Sequence, residues 1–305
     1  MNNAKNVNML LKIKAVALTL IMVMFISLVN ISPIISLAEN NSNDVSSVEE
    51  TIYYCAEEVY HGEGGQVDAS YEVYCDDYDR SIEYGHPGAP SFGATNLSNS
   101  CAPVAGANII VFYDRWLTNL VPNYTPGMMN TLSDGSQVYG YFPDVGHSAT
   151  EGLMSTLYQL MGTTAANGTT ANQFRNGMQS YVSGKGHSIS YESCYQTPTS
   201  VNLAKIQQAV ANNKVALIMC STYNFVDSVM VIEEQSKISV SKVNSNRGHM
   251  MMVNGYVVYK YFNNGVNFRT DTFLYVSSGY QTAERGYILL DEHLTIEEAY
   301  IVSIY

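Results

Sequence analysis

Cys101 and His249 are the two residues of this sequence whose settings suit covalent chemistry. Cys101 lies in the stretch 96–115, Asn-Leu-Ser-Asn-Ser-Cys-Ala-Pro-Val-Ala-Gly-Ala-Asn-Ile-Ile-Val-Phe-Tyr-Asp-Arg, where a polar loop leads into an apolar run. Pro103 fits a first helical turn, where its missing N–H costs nothing, and Ala105, Ile109, Phe112 and Trp116 recur at helical spacing. The pattern predicts a buried helix after the cysteine. A thiolate at a helix N-terminus faces unpaired N–H groups and the positive end of the dipole, which lower a cysteine pKa from its free value of roughly 8.5. The alternative role for Cys101 is that of a small buried apolar residue. His249 follows Gly248 at the mouth of an apolar strand, which would place its ring at a sheet edge. A Cys/His pair can exchange a proton to give thiolate and imidazolium, and the imidazolium can then protonate a leaving amine. Taken alone, His249 would be an incidental surface or core histidine; only the fold can bring it to Cys101.

Helices and strands must position such a pair, and the chain is patterned helices first. After the cysteine helix, 121–147 is rich in Pro, Gly, Asn and Tyr and too irregular for regular structure through most of its length. Long ordered loops of that kind usually carry function. Residues 149–161 and 170–182 read as helices, the first closed by Gly162, the second preceded by a Thr/Asn cap and ended by Gly184. Residues 186–194 alternate as a strand, and 202–213 form another short helix. The continuous apolar run 215–220 predicts a buried strand. Edge strands are expected within 229–243 and a long strand over 247–261. Asn263-Asn264-Gly265 is a hairpin signal, with the return strand at 268–278. Residues 286–290 and 300–304 complete an antiparallel sheet. This order makes the class α+β.

Three segments differ in composition. Residues 1–38 carry Lys5, Lys12, Lys14 and no acid, then a long apolar core ending in Ser-Leu-Ala, the pattern of an export signal; retention as an N-terminal anchor is the alternative. Removing three lysines and no acids takes the formal net charge from -12 to -15, so nucleic acid and anionic membranes are not expected partners. Residues 39–90 are polar and Tyr-rich and read as a propeptide or N-terminal extension, with 51–60 and 70–79 as the arms of a small hairpin. Residues 91–305, ~215 of them, suffice for one domain with its own core. The five cysteines leave at least one thiol unpaired within the chain. Pairing Cys55 with Cys75 and Cys194 with Cys220 would leave Cys101; a fully reduced chain is the other outcome.

From residue 91 to the C-terminus the sequence resembles the papain-like cysteine peptidases of bacterial secreted proteins, streptopain-like enzymes among them. Three matches carry the resemblance: Asn99-Ser-Cys-Ala-Pro103 opening a helix, the strand 214–219 before a variable loop, and Gly248-His249 heading an apolar strand that ends in Gly255-Tyr256. A further match is Tyr275-Val-Ser-Ser-Gly-Tyr280 followed by Gly286-Tyr-Ile-Leu-Leu290. The resemblance implies a helical lobe carrying Cys101 as nucleophile and an antiparallel β lobe carrying His249 as general base and acid. It also implies a peptide or protein substrate in the cleft between them.

The sequence departs from that family in two roles. The residue that orients the imidazole is usually Asn or Asp, and here Ser277 occupies its position; a serine hydroxyl can accept from an imidazole N–H but is shorter and uncharged. A carbonyl of the backbone is the alternative. Asp271 would pair near Val257, roughly 26 Å along the strand from His249, too far to serve. The family glutamine that donates to the oxyanion is absent; Asn96 is the nearest amide, with Thr95 beside it, and could donate together with the Cys101 N–H.

His61, His86, His147, His187 and His293 show no ligand spacing, so neither zinc nor another cofactor is expected. Asp76-Asp77-Tyr78-Asp79 lacks the glycine and later glutamate of a calcium loop and reads as a solvated turn. The expected protein is an exported cysteine peptidase. The alternatives are a cell-wall peptide amidase and a non-catalytic binding or inhibitory protein on the same fold. Oligomeric state is not legible.

Overall fold

Residues 101–114 are apolar on nearly every side, and a helix of that kind is stable only when surrounded. In the computed structural model, which describes residues 52–53, 69–84, 97–117, 119–122, 128–131, 137–140, 148–232, 237–280 and 285–305, all of this helix is buried. The described helices are α1 (Cys101–Asp114), α2 (Ser148–Leu160), α3 (Ala171–Gly184) and α4 (Leu203–Ala211). The strands are β1 (Ile52–Tyr53), β2 (Ala69–Tyr74), β3 (Asp77–Tyr84), β4 (Met128–Thr131), β5 (Gln137–Gly140), β6 (Thr169–Thr170), β7 (Ile189–Ser193), β8 (Tyr195–Thr197) and β9 (Ser200–Val201). The longer ones follow: β10 (Val215–Ile232), β11 (Lys237–Ser245), β12 (His249–Asn263), β13 (Val266–Ser277), β14 (Arg285–Leu289) and β15 (Thr295–Ile304). The class is α+β, with four described helices and a nine-stranded antiparallel sheet. Among the described residues no helix is long and apolar enough to cross a membrane.

Period-two alternation explains why the central strands are apolar without a break: both their faces are covered. Val215, Leu217 and Met219 of β10 and Met250 and Met252 of β12 join the core of α1, α2 and α3. Their alternates Ala216, Ile218, Cys220, Met251 and Val253 join a second core with Ile206, Ala209 and Val210 of α4. β10 pairs with β12 and β15 over its first half and with β11 and β14 over its second. The strand thus runs far past the apolar run that announced it.

Residues 69–84 belong to this sheet. Of the expected hairpin between 51–60 and 70–79, residues 51 and 54–60 lie outside the described residues; the described Ile52 and Tyr53 pair with β6, while β2 pairs with β11 and β3 with β12. β2 and β3 end opposite sides of the strand path, yet only Cys75 and Asp76 separate them, a link that spans ~11 Å at most. The path therefore curls back on itself around a third core containing Val73, Val226, Val240, Val257 and Phe273. Asp76 holds the junction: its carboxylate accepts the Asn264 N–H at 2.9 Å and its own N–H donates to the Phe262 carbonyl at 3.0 Å. Only Asp76 lies in the turn; Asp77, Tyr78 and Asp79 are exposed residues of β3 paired with Phe262, Tyr261 and Lys260, so the reading of the whole acidic stretch as a solvated turn is corrected.

Local signals are realised where they were expected. Asn264 and Gly265 turn the β12–β13 hairpin with φ of 51° and 73°. Thr170 caps α3 in a reciprocal box with Gln173, and Asn202 caps α4 through the Lys205 N–H. Two details differ. Trp116, expected on the apolar face of the first helix, lies past its end and is exposed, because Asp114 turns the chain by accepting the Val121 N–H at 2.8 Å. Within 121–147, β4 and β5 pair as a short ladder.

Two buried tyrosines tie the helices to their surroundings, Tyr113 of α1 to strand β15 and Tyr181 of α3 to the loop after α1. Tyr113 Oη donates to the Val302 carbonyl at 2.6 Å and Tyr181 Oη to the Leu120 carbonyl at 2.7 Å. Burial pushes both phenols up to about 12. A folded-state pKa above the unfolded value of about 10 means stabilisation that is complete below pH ~10 and lost as pH rises towards 12. Exposed tyrosines ionise first, and loss of circular dichroism is expected to coincide with a later tyrosinate step within that alkaline window; loss of structure with no accompanying tyrosinate step would contradict this.

Candidate active site

Cys101 is the first residue of α1 and is 0% exposed. The chain enters it through Asn99, whose φ of 58° lies in the left-handed region that asparagine tolerates. The Asn99 amide donates to the Ala165 carbonyl at 2.9 Å, anchoring the loop to the turn after α2. Ser100 is the N-cap, and the Val104 N–H donates to its carbonyl at 2.9 Å, the first helical bond.

His249 is the first residue of β12, opposite Cys220 of β10, and is 1% exposed. Its ring stacks on Tyr280 at 4.5 Å and 4° and on Tyr223 at 5.9 Å and 28°, and the two tyrosine hydroxyls hydrogen-bond to each other. Nε2 lies 2.7 Å from the Ser278 carbonyl oxygen. A carbonyl can only accept, so Nε2 carries a proton, and in the neutral ring Nδ1 keeps the lone pair.

One glycine links the two halves. Gly279 follows Ser278 with a φ of 79°, and a Cβ there would lie 3.3 Å from Val104 Cγ1. Val104 stands one helical turn after Cys101, on the same side of α1. The segment that holds the His249 ring therefore rests on the turn that presents the Cys101 thiol. A side chain at 279 would press on Val104 and be strained at that φ.

Ser277 ends β13 and pairs with Met252, and its hydroxyl accepts from Asn254 Nδ2 at 3.2 Å. The acceptor that the structure gives to Nε2 is the carbonyl of the next residue, the backbone alternative to the Ser277 side chain. Asp271 pairs with Tyr259, ten residues from His249, and its carboxylate receives Tyr71, Tyr261 and Arg269, so it has no part in the site. Asn96 and Thr95 lie outside the described residues, as do the export signal, His61, His86, His147 and Cys55. Residues that the sequence did not single out are Tyr223, Tyr280 and Ser278. Tyr280 stood in the recognised motif without a role, and a carbonyl acceptor has no side-chain signature at all.

The proposed disulfides are corrected. Cys75, Cys194 and Cys220 are free thiols, the outcome of a reduced chain rather than of the two pairings. Cys194 and Cys220 serve as small apolar members of the second core rather than as a cross-link. Burial pushes the Cys194 thiol up to about 12, and raises Cys220 and, with Asp76 and Asp77 beside it, Cys75. Those three are poor nucleophiles at neutral pH. No group of three or more His, Cys, Asp or Glu among the described residues could hold a metal ion.

The class that fold and site define is an α+β protein with a helix-heading cysteine and a strand-heading histidine at the same end of the sheet. Compared with known proteins, the chain matches no protein-family model, and no curated protein matches it.

Proposed function

We propose that the protein is an exported, papain-like cysteine peptidase in which Cys101 attacks a peptide carbonyl and His249 moves the proton. The observation that carries this is the tie between the two elements: Val104 of the Cys101 turn packs on Gly279, and the adjoining Ser278 carbonyl fixes the His249 ring with Nδ1 as its base. His249 takes the thiol proton, the thiolate adds to the carbonyl carbon, and the imidazolium protonates the departing amine. Water then hydrolyses the acyl-cysteine with His249 as base. Tyr280, flat against the ring, limits its rotation and keeps water from the Nε2 bond.

The burial of Cys101 and His249 favours a second reading, a non-catalytic binding protein that retains the fold. Cleavage of a peptide library, followed by mass spectrometry, separates the two. The expected result is cleavage by the wild-type chain and none by a folded Cys101→Ala. Cleavage that survives Cys101→Ala would sink the thiol mechanism, and a wild type that neither cleaves nor reacts with thiol reagents would establish the binding protein.

A further inference from the structure

Ser100 is 0% exposed, and its Oγ has no hydrogen-bond partner among the described residues. Buried hydroxyls are rarely left so, because the desolvated group forgoes its bonds to water. A serine at this position ordinarily caps the helix, accepting from the N–H of the second or third helical residue. Ser100 makes no such bond. The third helical residue is Pro103, which has no N–H to give. The Ser-Cys-Ala-Pro order thus leaves a hydroxyl at the open end of α1, on the residue next to the thiol, with its proton uncommitted.

Resting on the peptidase reading above, we infer that Ser100 Oγ donates a hydrogen bond to the oxyanion that forms when Cys101 adds to a carbonyl. The sequence has no glutamine before the cysteine for that role. A developing negative charge at the start of a helix is also met by the positive end of its dipole. The ligand class is a tetrahedral acyl-transfer intermediate.

Two small electrophiles test this on the full chain. With p-nitrophenyl acetate, the Cys101 sulfur bonds to the carbonyl carbon and the C=O π pair moves to oxygen. Collapse of the oxyanion then expels p-nitrophenolate and leaves S-acetyl-Cys101, with the thiol proton held on His249. With iodoacetamide, sulfur displaces iodide from a saturated carbon, and no oxyanion forms. Ser100→Ala is expected to slow acetylation by on the order of 10²-fold, with alkylation within about twofold of wild type, and Ser100→Thr to restore most of the acetylation. Unchanged acetylation in Ser100→Ala would overturn the assignment while leaving the peptidase reading standing. Equal loss of both reactions would also overturn it, since Ser100 would then position the thiol. A wild type whose Cys101 reacts with neither reagent would remove both the assignment and the peptidase reading.

Discussion

On the proposed peptidase mechanism, His249→Ala is expected to lower peptide cleavage by about 10²- to 10⁴-fold, the range supplied by a positioned proton-transfer group. The ring is the only part of the site removed by that change. Strand β12 keeps its ladders to β10, β13 and β3, because they are backbone bonds, so the folded state is expected to persist. The loss should fall mainly on kcat, since the proton moves in the transition state rather than on binding. A variant with intact circular dichroism and unaltered cleavage would remove His249 from the mechanism.

Asp271→Ala is expected to destabilise the fold by about 2–5 kcal/mol without touching the chemistry. The Asp271 carboxylate accepts from Tyr71 Oη at 2.8 Å and Tyr261 Oη at 2.9 Å, and pairs with Arg269 Nε at 2.8 Å. Asp271 itself is 6% exposed, so both phenols lose a buried acceptor. Arg269 is partly exposed and recovers water, so it contributes the smaller part of the loss. Tyr71 belongs to β2 and Asp271 to β13, so the cluster fastens the N-terminal strand across the curled sheet. Chemical denaturation measures the effect; a change below ~0.5 kcal/mol would show that the cluster does not hold β2 in place.

What could be read from the sequence was local. Asn264-Gly265 dictates its turn whatever lies around it, and Thr170 with Gln173 announces the start of α3 within four residues. The apolar run at 215–220 marks the part of β10 covered on both faces. Past Cys220 the strand continues through Ser221-Thr222-Tyr223-Asn224, where mixed polarity hides it.

Partners distant in sequence were less legible. The tyrosine-rich alternation of 70–79 would look the same whether it paired with 51–60 or with β11, and the choice was made by the curled sheet. The β12–β13 ladder ends at Met252 and Ser277, and the His249 ring is held beyond it by the carbonyl of Ser278. The holding atom is a backbone oxygen, which no side-chain pattern could reveal. Cys101 was legible as a helix-heading residue because the apolar run that follows it announces the helix. The unused cap at Ser100 became visible only once Pro103 was seen to be the third helical residue.

The pH dependence of iodoacetamide labelling at Cys101, located by peptide mass mapping in wild type and in His249→Ala, tests the central claim most directly. It needs no knowledge of the substrate; the thiols of Cys75, Cys194 and Cys220 are raised, and the peptide map separates Cys101 from Cys55. Rapid labelling well below the ordinary thiol pKa of roughly 8.5, lost in His249→Ala, is the predicted result. Labelling that follows an ordinary thiol in both proteins, or none in either, would contradict it and leave Cys101 as a packing residue.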